Sequence, residues 1–379
     1  MSVVALIGCP SYDSQSVLAA VTRGIDLLGG PGAFVRPGEK ILLKPNMLAA
    51  RSPQQAVTTH PEVFAAAARL FAEAGAVLSY GDSPGYGSLS HAARKTEIAE
   101  AAGRLGITQA DFETVVSVPS PDGGSFPLAH GVHAADGVIS LCKMKTHGLT
   151  RITGAVKNQL GCIVGFEKAR LHFLYPNPQR FSARLAEITR IVNPRLYIMD
   201  GILAMEGEGP SGGNPVAMNV LLFSRDPVAL DCVFCKLIAL DPAHVPTIAA
   251  AAAIGLGAAD DITLAGDSIT GFIKPDFDVV RRPVTGDILF RPLRPFRNSI
   301  LPRPVINAAP CKNCGVCVDA CPAEPQKALA FPAGGKSPPR LTVRRCIRCY
   351  CCQEMCPHRA ITIATPLAGR ILARLLGKH

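Results

Sequence analysis

The pattern Cys311-x-x-Cys314-x-x-Cys317-x-x-x-Cys321-Pro322 returns further along the chain as Cys346-x-x-Cys349-x-x-Cys352-x-x-x-Cys356-Pro357. Eight thiols on this spacing leave a chain little choice, because they must gather around something that takes sulfur ligands. Thiolate is the usual protein ligand of iron–sulfur clusters. Zinc or disulfides would use cysteines in pairs and would leave the triple spacing and both prolines unexplained. The spacing therefore predicts iron–sulfur electron transfer.

The double run resembles that of bacterial two-cluster ferredoxins, in which the fourth cysteine of each run ligates the other cluster. The resemblance implies one [4Fe–4S] cluster on Cys311, Cys314, Cys317 and Cys356, and a second on Cys346, Cys349, Cys352 and Cys321. At 379 residues the chain is far too long for such a module alone. About 280 residues precede it, enough to bury a large core. Between them the composition changes, with six prolines and six arginines in residues 281–310. Proline fixes φ and removes a donor, so an extended linker is expected over 281–306. The two-cluster domain is expected over 307–365, and a basic amphipathic helix over 366–379.

Charge is unevenly placed. Residues 281–379 carry 17 of the 39 Lys and Arg against four acids, a net +13, which leaves −3 for the first 280 residues. Negatively charged clusters would offset part of this excess. The remainder could steer an acidic electron donor, such as a reduced ferredoxin or flavodoxin, towards Arg344, Arg345 and Arg348. No aromatic platform or recognition helix accompanies these arginines, so nucleic acid is not expected. Metal spacing rather than disulfide spacing favours a reducing, cytoplasmic and anaerobic setting. No apolar run reaches the roughly 20 residues of a spanning helix, and the N-terminus lacks the basic start of a signal peptide. Contact with a membrane surface would rest on the terminal helix alone.

Residues 1–280 alternate short apolar runs with amphipathic helical patterns. Strands are expected at 3–8, 41–43, 77–80, 114–118, 137–141, 196–199, 219–223 and 262–265, and helices near 61–75, 92–105, 181–192, 228–240 and 245–254. This rhythm predicts an α/β fold, a mostly parallel sheet with helices on both faces, joined to a small α+β ferredoxin-like domain. Ligands of such sheets bind beyond the carboxyl ends of the strands. Polar loops are expected there at Lys44-Pro45-Asn46, Gly81-Asp82-Ser83-Pro84-Gly85, Lys143-Met144-Lys145-Thr146-His147 and Asp200-Gly201, followed by Val156-Lys157-Asn158. Four lysines converging on one crevice would hold a carboxylate or phosphate. Lys145, Lys157 and His147 are the candidate catalytic residues, with His147 as proton donor. Lys44, Asn46, Asp82, Ser83, Lys143 and Asn158 are the candidate substrate ligands. Cys9, Cys142 and Cys162 fall near the same ends, Cys232 and Cys235 on an apolar helix, and Cys351 between two cluster ligands. No G-x-G-x-x-G or G-x-x-x-x-G-K-[ST] motif is present, and the sequence leaves flavin open.

The same loops, with Gly209-Pro210 and Asp226-Pro227-Val228-Ala229-Leu230-Asp231, resemble the family catalogued as domain of unknown function 362 over about residues 3–240. That family is often joined to a C-terminal ferredoxin domain. The resemblance implies a fold and an iron–sulfur association rather than a reaction. Two functions follow as expectations: an iron–sulfur oxidoreductase acting on a small anion in the crevice, or a non-catalytic electron carrier or maturation protein whose large domain docks a partner.

Overall fold

The structure, a computed structural model, describes residues 2–375 apart from 122, 166, 283–296 and 336. The strands ahead of the connector are β1 (Ser2–Gly8), β2 (Lys40–Pro45), β3 (Val77–Tyr80), β4 (Thr108–Gln109), β5 (Val115–Pro119), β6 (Ser125–Ala129), β7 (Gly137–His147), β8 (Arg151–Ile152), β9 (Leu196–Glu206), β10 (Asn214–Ser224) and β11 (Ile262–Gly266). One sheet runs in the order β11–β1–β10–β9–β7–β2–β3–β4, with β8 folded back on β7. β5 and β6 pair with each other, and Leu128 of β6 also bridges Ile163. The pairs β1/β11, β2/β3, β2/β7, β3/β4 and β7/β9 are parallel, and β1/β10, β9/β10 and β7/β8 antiparallel. The α/β architecture with a mostly parallel sheet is as the apolar rhythm predicts.

The helices form where caps and apolar stripes coincide. Pro61–Glu73 starts on His60, whose ring accepts from the Glu62 amide, with proline at the first turn where no donor is missed. Its Val63, Phe64, Ala67 and Phe71 are buried in the main core. Pro227–Leu237 starts on Asp226, which accepts from the amides of Val228 and Ala229. Cys232 and Cys235 lie in its buried face and belong to the core. The stretch expected as one helix near 92–105 is two, Leu89–Lys95 and Ile98–Arg104, separated by Glu97 in the left-handed region at φ 62°.

The largest departure from the sequence reading concerns two strand ends. β7 was expected to stop at Leu141 and β9 near Asp200, yet they run on to His147 and Glu206. They extend side by side, pairing Lys143 with Asp200 and, past an irregularity, Lys145 with Met205. Hydropathy marks Lys143-Met144-Lys145 as loop because its charges interrupt the apolar run. Within the fold each charge meets a partner, and the strand continues through the buried interior.

The connector also departs from expectation. Residues 283–296 lie outside the described residues, but Arg297–Ile300 is helical and β12 (Arg303–Ile306) pairs antiparallel with β15 (Ile361–Ala364). The C-terminal unit thus begins by residue 303 rather than 307. It also holds β13 (Leu329–Ala330) and β14 (Arg340–Leu341), which pair with each other. A last helix, Leu367–Leu375, follows and exposes Leu367 and Ile371; residues 376–379 are outside the description.

One local constraint is testable. Gly154 opens the short helix Gly154–Asn158 at φ +60°, and a Cβ there would lie 2.2 Å from Asp231 Oδ1. That carboxylate accepts from the amides of Ala155 at 2.6 Å and Val156 at 3.2 Å, holding the helix start in place. Gly154→Ala should lower unfolding free energy by about 1–3 kcal/mol in a denaturant titration; an unchanged midpoint would contradict this.

Candidate functional site

Five lysines are buried where the large unit meets the cysteine-rich unit, and their partners differ. Lys44, on β2, donates to Asp82 Oδ1 at 2.8 Å, and the other oxygen of Asp82 accepts from the Met47 amide at 2.6 Å. Lys143, on β7, donates to Asp200 Oδ2 at 2.6 Å. Tyr12 donates to Asp200 Oδ1 at 2.8 Å and stacks on His60 at 3.5 Å. Both carboxylates are therefore spent on neighbouring cations. Lys145 donates to Asn46 Oδ1 at 3.0 Å and Val57 O at 2.5 Å, which leaves a third N–H uncommitted. Lys168, on the helix Glu167–Leu174, donates to Ser83 Oγ at 2.7 Å, to Pro84 O at 2.8 Å and to Ser83 O. Lys157, only 6 % exposed, has no hydrogen bond or ion pair among the described residues.

Three of these side chains, Lys145, Lys157 and Lys168, line a cavity of about 80 Å³. Of the nine residues expected at the crevice, Asn46, Asp82, Ser83, Lys145, Lys157 and Asn158 line it. Lys44, Lys143 and His147 do not. The two lysines stand behind the wall in ion pairs and are not free to bind an anion. Asn46 Nδ2 donates to Asn158 Oδ1 at 3.0 Å, and Asn158 Nδ2 donates to Ser140 Oγ at 2.9 Å, so the amide wall is held in one orientation. Gly161 allows the wall to close: a Cβ there would lie 1.7 Å from Asp82 Oδ1. Cys9, Cys142 and Cys162 do not line the cavity, and burial raises all three thiols. They are packed as small apolar groups rather than poised as nucleophiles.

The far wall comes from the C-terminal unit, through Ala320, Cys351, Glu354 and Met355. Nothing in their sequence context marks these four for the crevice. The helix Cys351–Met355 docks by named contacts. Arg51 donates to Cys356 O at 2.7 Å and Pro357 O at 2.5 Å, and Gln353 Nε2 donates to Glu208 O at 2.9 Å. Ser211 donates to Glu354 O, and Met355 packs where a Cβ on Gly85 would sit. Glu354 Oε1 stands 3.0 Å from His147 Nε2.

This contact corrects the role expected of His147. Its Nδ1 accepts from the amides of Leu149 at 3.0 Å and Thr150 at 3.3 Å, so the ring proton belongs on Nε2, facing Glu354. Burial, and then Lys157, bring its pKa down to about 4. At neutral pH it is an uncharged ring holding a carboxylate, not an acid. Burial by itself would raise the Glu354 carboxyl, but His147 and Lys157 hold it below the usual carboxylate range. Burial pushes Lys145 well down, helped by Lys157, and lowers Lys168 to about 7.

The eight cysteines of the double run ring two separate cavities. Cys311, Cys314, Cys317 and Cys356 line one, and Cys321, Cys346, Cys349 and Cys352 the other. Each void therefore has three thiols from one run and the fourth from the other. Among the described residues no three His, Cys, Asp or Glu side chains are placed to hold a single metal ion. Four thiols spaced around a void suit a four-iron cluster, which keeps its ligands apart. Arg348, expected at a donor-docking surface, is instead buried and donates to Pro302 O and Asn298 Oδ1; Arg344 and Arg345 are exposed.

Two buried imidazoles set a pH dependence. Burial brings both His147 and His172 to about 4, whereas an unfolded histidine titrates near 6.5. Between those values the unfolded chain binds more protons, so stability should fall as pH drops from about 6.5 towards 4. Denaturant midpoints by circular dichroism at pH 7.5 and 5.5 check this. His172 stacks on Phe181 at 4.2 Å, and His172→Phe should lose less stability over that step than the parent.

The sequence profile described as domain of unknown function (DUF362) matches residues 41–236, and that described as a 4Fe-4S dicluster domain matches 303–357. The dicluster match establishes iron–sulfur binding and electron transfer as the role of the C-terminal unit. A thylakoid-associated protein of Synechocystis sp. is 40% identical over 261 residues, 67% of this chain and 79% of its own length. Among solved structures, the lactate racemase apoprotein of Thermoanaerobacterium thermosaccharolyticum aligns with TM-score 0.42 at 11% identity, over 63% of this chain and 57% of that one. A Thermotoga maritima protein aligns with TM-score 0.35 at 13% identity, over 58% and 57%. Among the described residues no helix is long and apolar enough to cross a membrane. The chain belongs to the DUF362 family, and carries a 4Fe-4S dicluster domain on its C-terminal side.

Proposed function

We propose that the chain is an iron–sulfur oxidoreductase that passes electrons through two [4Fe–4S] clusters to a small anion held between its two units. Lys157 carries this reading. A buried cation without a hydrogen bond is costly, and this one, although the Glu354 carboxylate attracts it, faces a void walled by both the large unit and the cluster-bearing unit. An anion in that void would complete its interactions.

The other wall residues support the same reading. The third N–H of Lys145 would orient the anion beside Lys157, while Asn46 and Asn158 are kept in register by their mutual bond. Leu48, Leu160 and Met355 would exclude water. Lys168, at about 7, is the wall group able to release a proton near neutrality, in the place first expected of His147. Clusters on the two cysteine sets would supply electrons singly, drawn from a low-potential carrier such as a reduced ferredoxin or flavodoxin. A void of about 80 Å³ favours a short carboxylate or a phosphate over a flavin.

The setting we infer is cytoplasmic. The name of the Synechocystis relative supports a peripheral contact with a membrane surface, for which the exposed Leu367 and Ile371 of the terminal helix are suited.

Anaerobic purification should give about eight iron per chain, four for each cluster. Native mass spectrometry should find a small anion retained by the parent and absent from Lys157→Met, with equal iron in both. Iron near four per chain would remove the two-cluster assignment. Equal anion content in parent and variant would remove the substrate site. Lys157→Met should also be at least as stable as the parent in denaturant, because it removes a buried charge that has no hydrogen bond.

A further inference from the structure

Of the three lysines that line the cavity, Lys168 is the one hydrogen-bonded to a hydroxyl. Its three bonds run to Ser83 O, Ser83 Oγ and Pro84 O, and an ammonium carries three N–H groups. None is left for a ligand, although Lys168 and Ser83 both line the cavity and are more than nine-tenths buried. The two carbonyls can only accept. The Ser83 hydroxyl is therefore the one partner of the three that can exchange a proton with this lysine.

Ser83 is held for that exchange. Its amide donates to Gly161 O at 2.9 Å. Its Oγ accepts from Lys168 at 2.7 Å and from the Gly165 amide at 3.2 Å, which engages both lone pairs. The hydroxyl hydrogen has no acceptor among the described residues. When Lys168 is neutral the bond reverses: the amine keeps two N–H groups for the carbonyls and offers its lone pair to the Ser83 O–H. Both protonation states thus fit the same three oxygens.

Building on the oxidoreductase reading above, we propose that Ser83 is the catalytic residue that hands a proton to the bound anion, and that Lys168 refills it. As a reduced cluster gives one electron to the anion, the Ser83 O–H bond breaks and an O–H bond forms on the anion. One Lys168 N–H breaks in turn and restores the hydroxyl, leaving a neutral amine that solvent reprotonates. Burial brings Lys168 to about 7, so both of its forms are populated near neutrality. Among the groups that act on it, Asp82 opposes that shift, Lys44 and Lys157 add to it, and the Cys162 thiol, at about 12, stays uncharged. On its own helix Glu167 and Arg170 pair with each other at the surface, and His172, at about 4, is neutral.

The test runs the exchange in reverse, on anaerobically purified holoprotein treated with methanesulfonyl fluoride. Ser83 Oγ bonds to sulfur, fluoride leaves with the S–F electron pair, and the hydroxyl proton passes to neutral Lys168. Peptide mass spectrometry should find the adduct on Ser83, forming about tenfold faster at pH 8 than at pH 6 and levelling off above pH 7. A hydroxyl ionised by water alone would gain about tenfold per pH unit without levelling. Lys168→Arg keeps a cation and its donors but releases no proton in this range, so its labelling should be slow at both pH values. An unlabelled Ser83, a rate that never levels, or a rate unchanged by Lys168→Arg would overturn the pair. Should Lys168→Arg fail to take up iron, Lys168→Gln and the pH profile of the parent decide the same point. For the hand-over, calorimetry with acetate at pH 6 should show Ser83→Ala binding about tenfold more weakly than the parent, through loss of a hydrogen bond to a charged group. Equal affinity would overturn it. Labelling needs no anion, whereas the comparison of parent with Lys157→Met measures anion retention, so either reading can fail alone.

Discussion

Burying five ammonium groups in one region is the constraint on which the arrangement of this protein depends. Each charge removed from water must find oxygen or anion partners, or the fold loses stability. Lys44 and Lys143 are answered by Asp82 and Asp200. Lys145 and Lys168 are answered by neutral oxygens of Asn46, Val57, Ser83 and Pro84. These demands fix where loops must come: Ser83 lies against Gly161, and Asn46 against Asn158. Lys157 is the one of the five without a hydrogen bond among the described residues, and the cavity is the space in front of it.

The same demand ties the two units together. Glu354 belongs to the cluster-bearing unit, yet its carboxylate faces His147 and Lys157 of the large one. Were that unit removed, His147 would lose the carboxylate that faces its Nε2, and the cavity would lose a wall. One short helix thereby lines two cavities, Cys352 facing the cysteine-ringed one and Cys351 and Glu354 the lysine-lined one.

Much of the fold was legible in the chain. Apolar runs of four to eight residues bounded by Gly and Pro mark most of the strands, and His60-Pro61 and Asp226-Pro227 mark helix starts by well-understood chemistry. Where reading failed, charge was the cause. Lys143 and Lys145 interrupt an apolar pattern, so β7 reads as ending at Leu141, although it continues as buried strand to His147. Pairing with Asp200 makes that continuation possible, and Asp200 is 57 residues away in the chain. His147 reads as a proton donor because imidazole often is one; two backbone amides and a carboxylate across the unit boundary decide otherwise.

By itself the sequence determined the iron–sulfur chemistry, because thiol spacing along the chain is local information and each cysteine-ringed cavity draws three thiols from one short run. It also determined the α/β class, through the period of its apolar residues, and six of the residues that line the cavity. The tertiary structure decided which lysines are already neutralised and which is not. It also decided that the cluster unit supplies the far wall. Those are properties of partners distant in sequence, and a charge does not reveal along the chain whether a counter-charge will be folded against it.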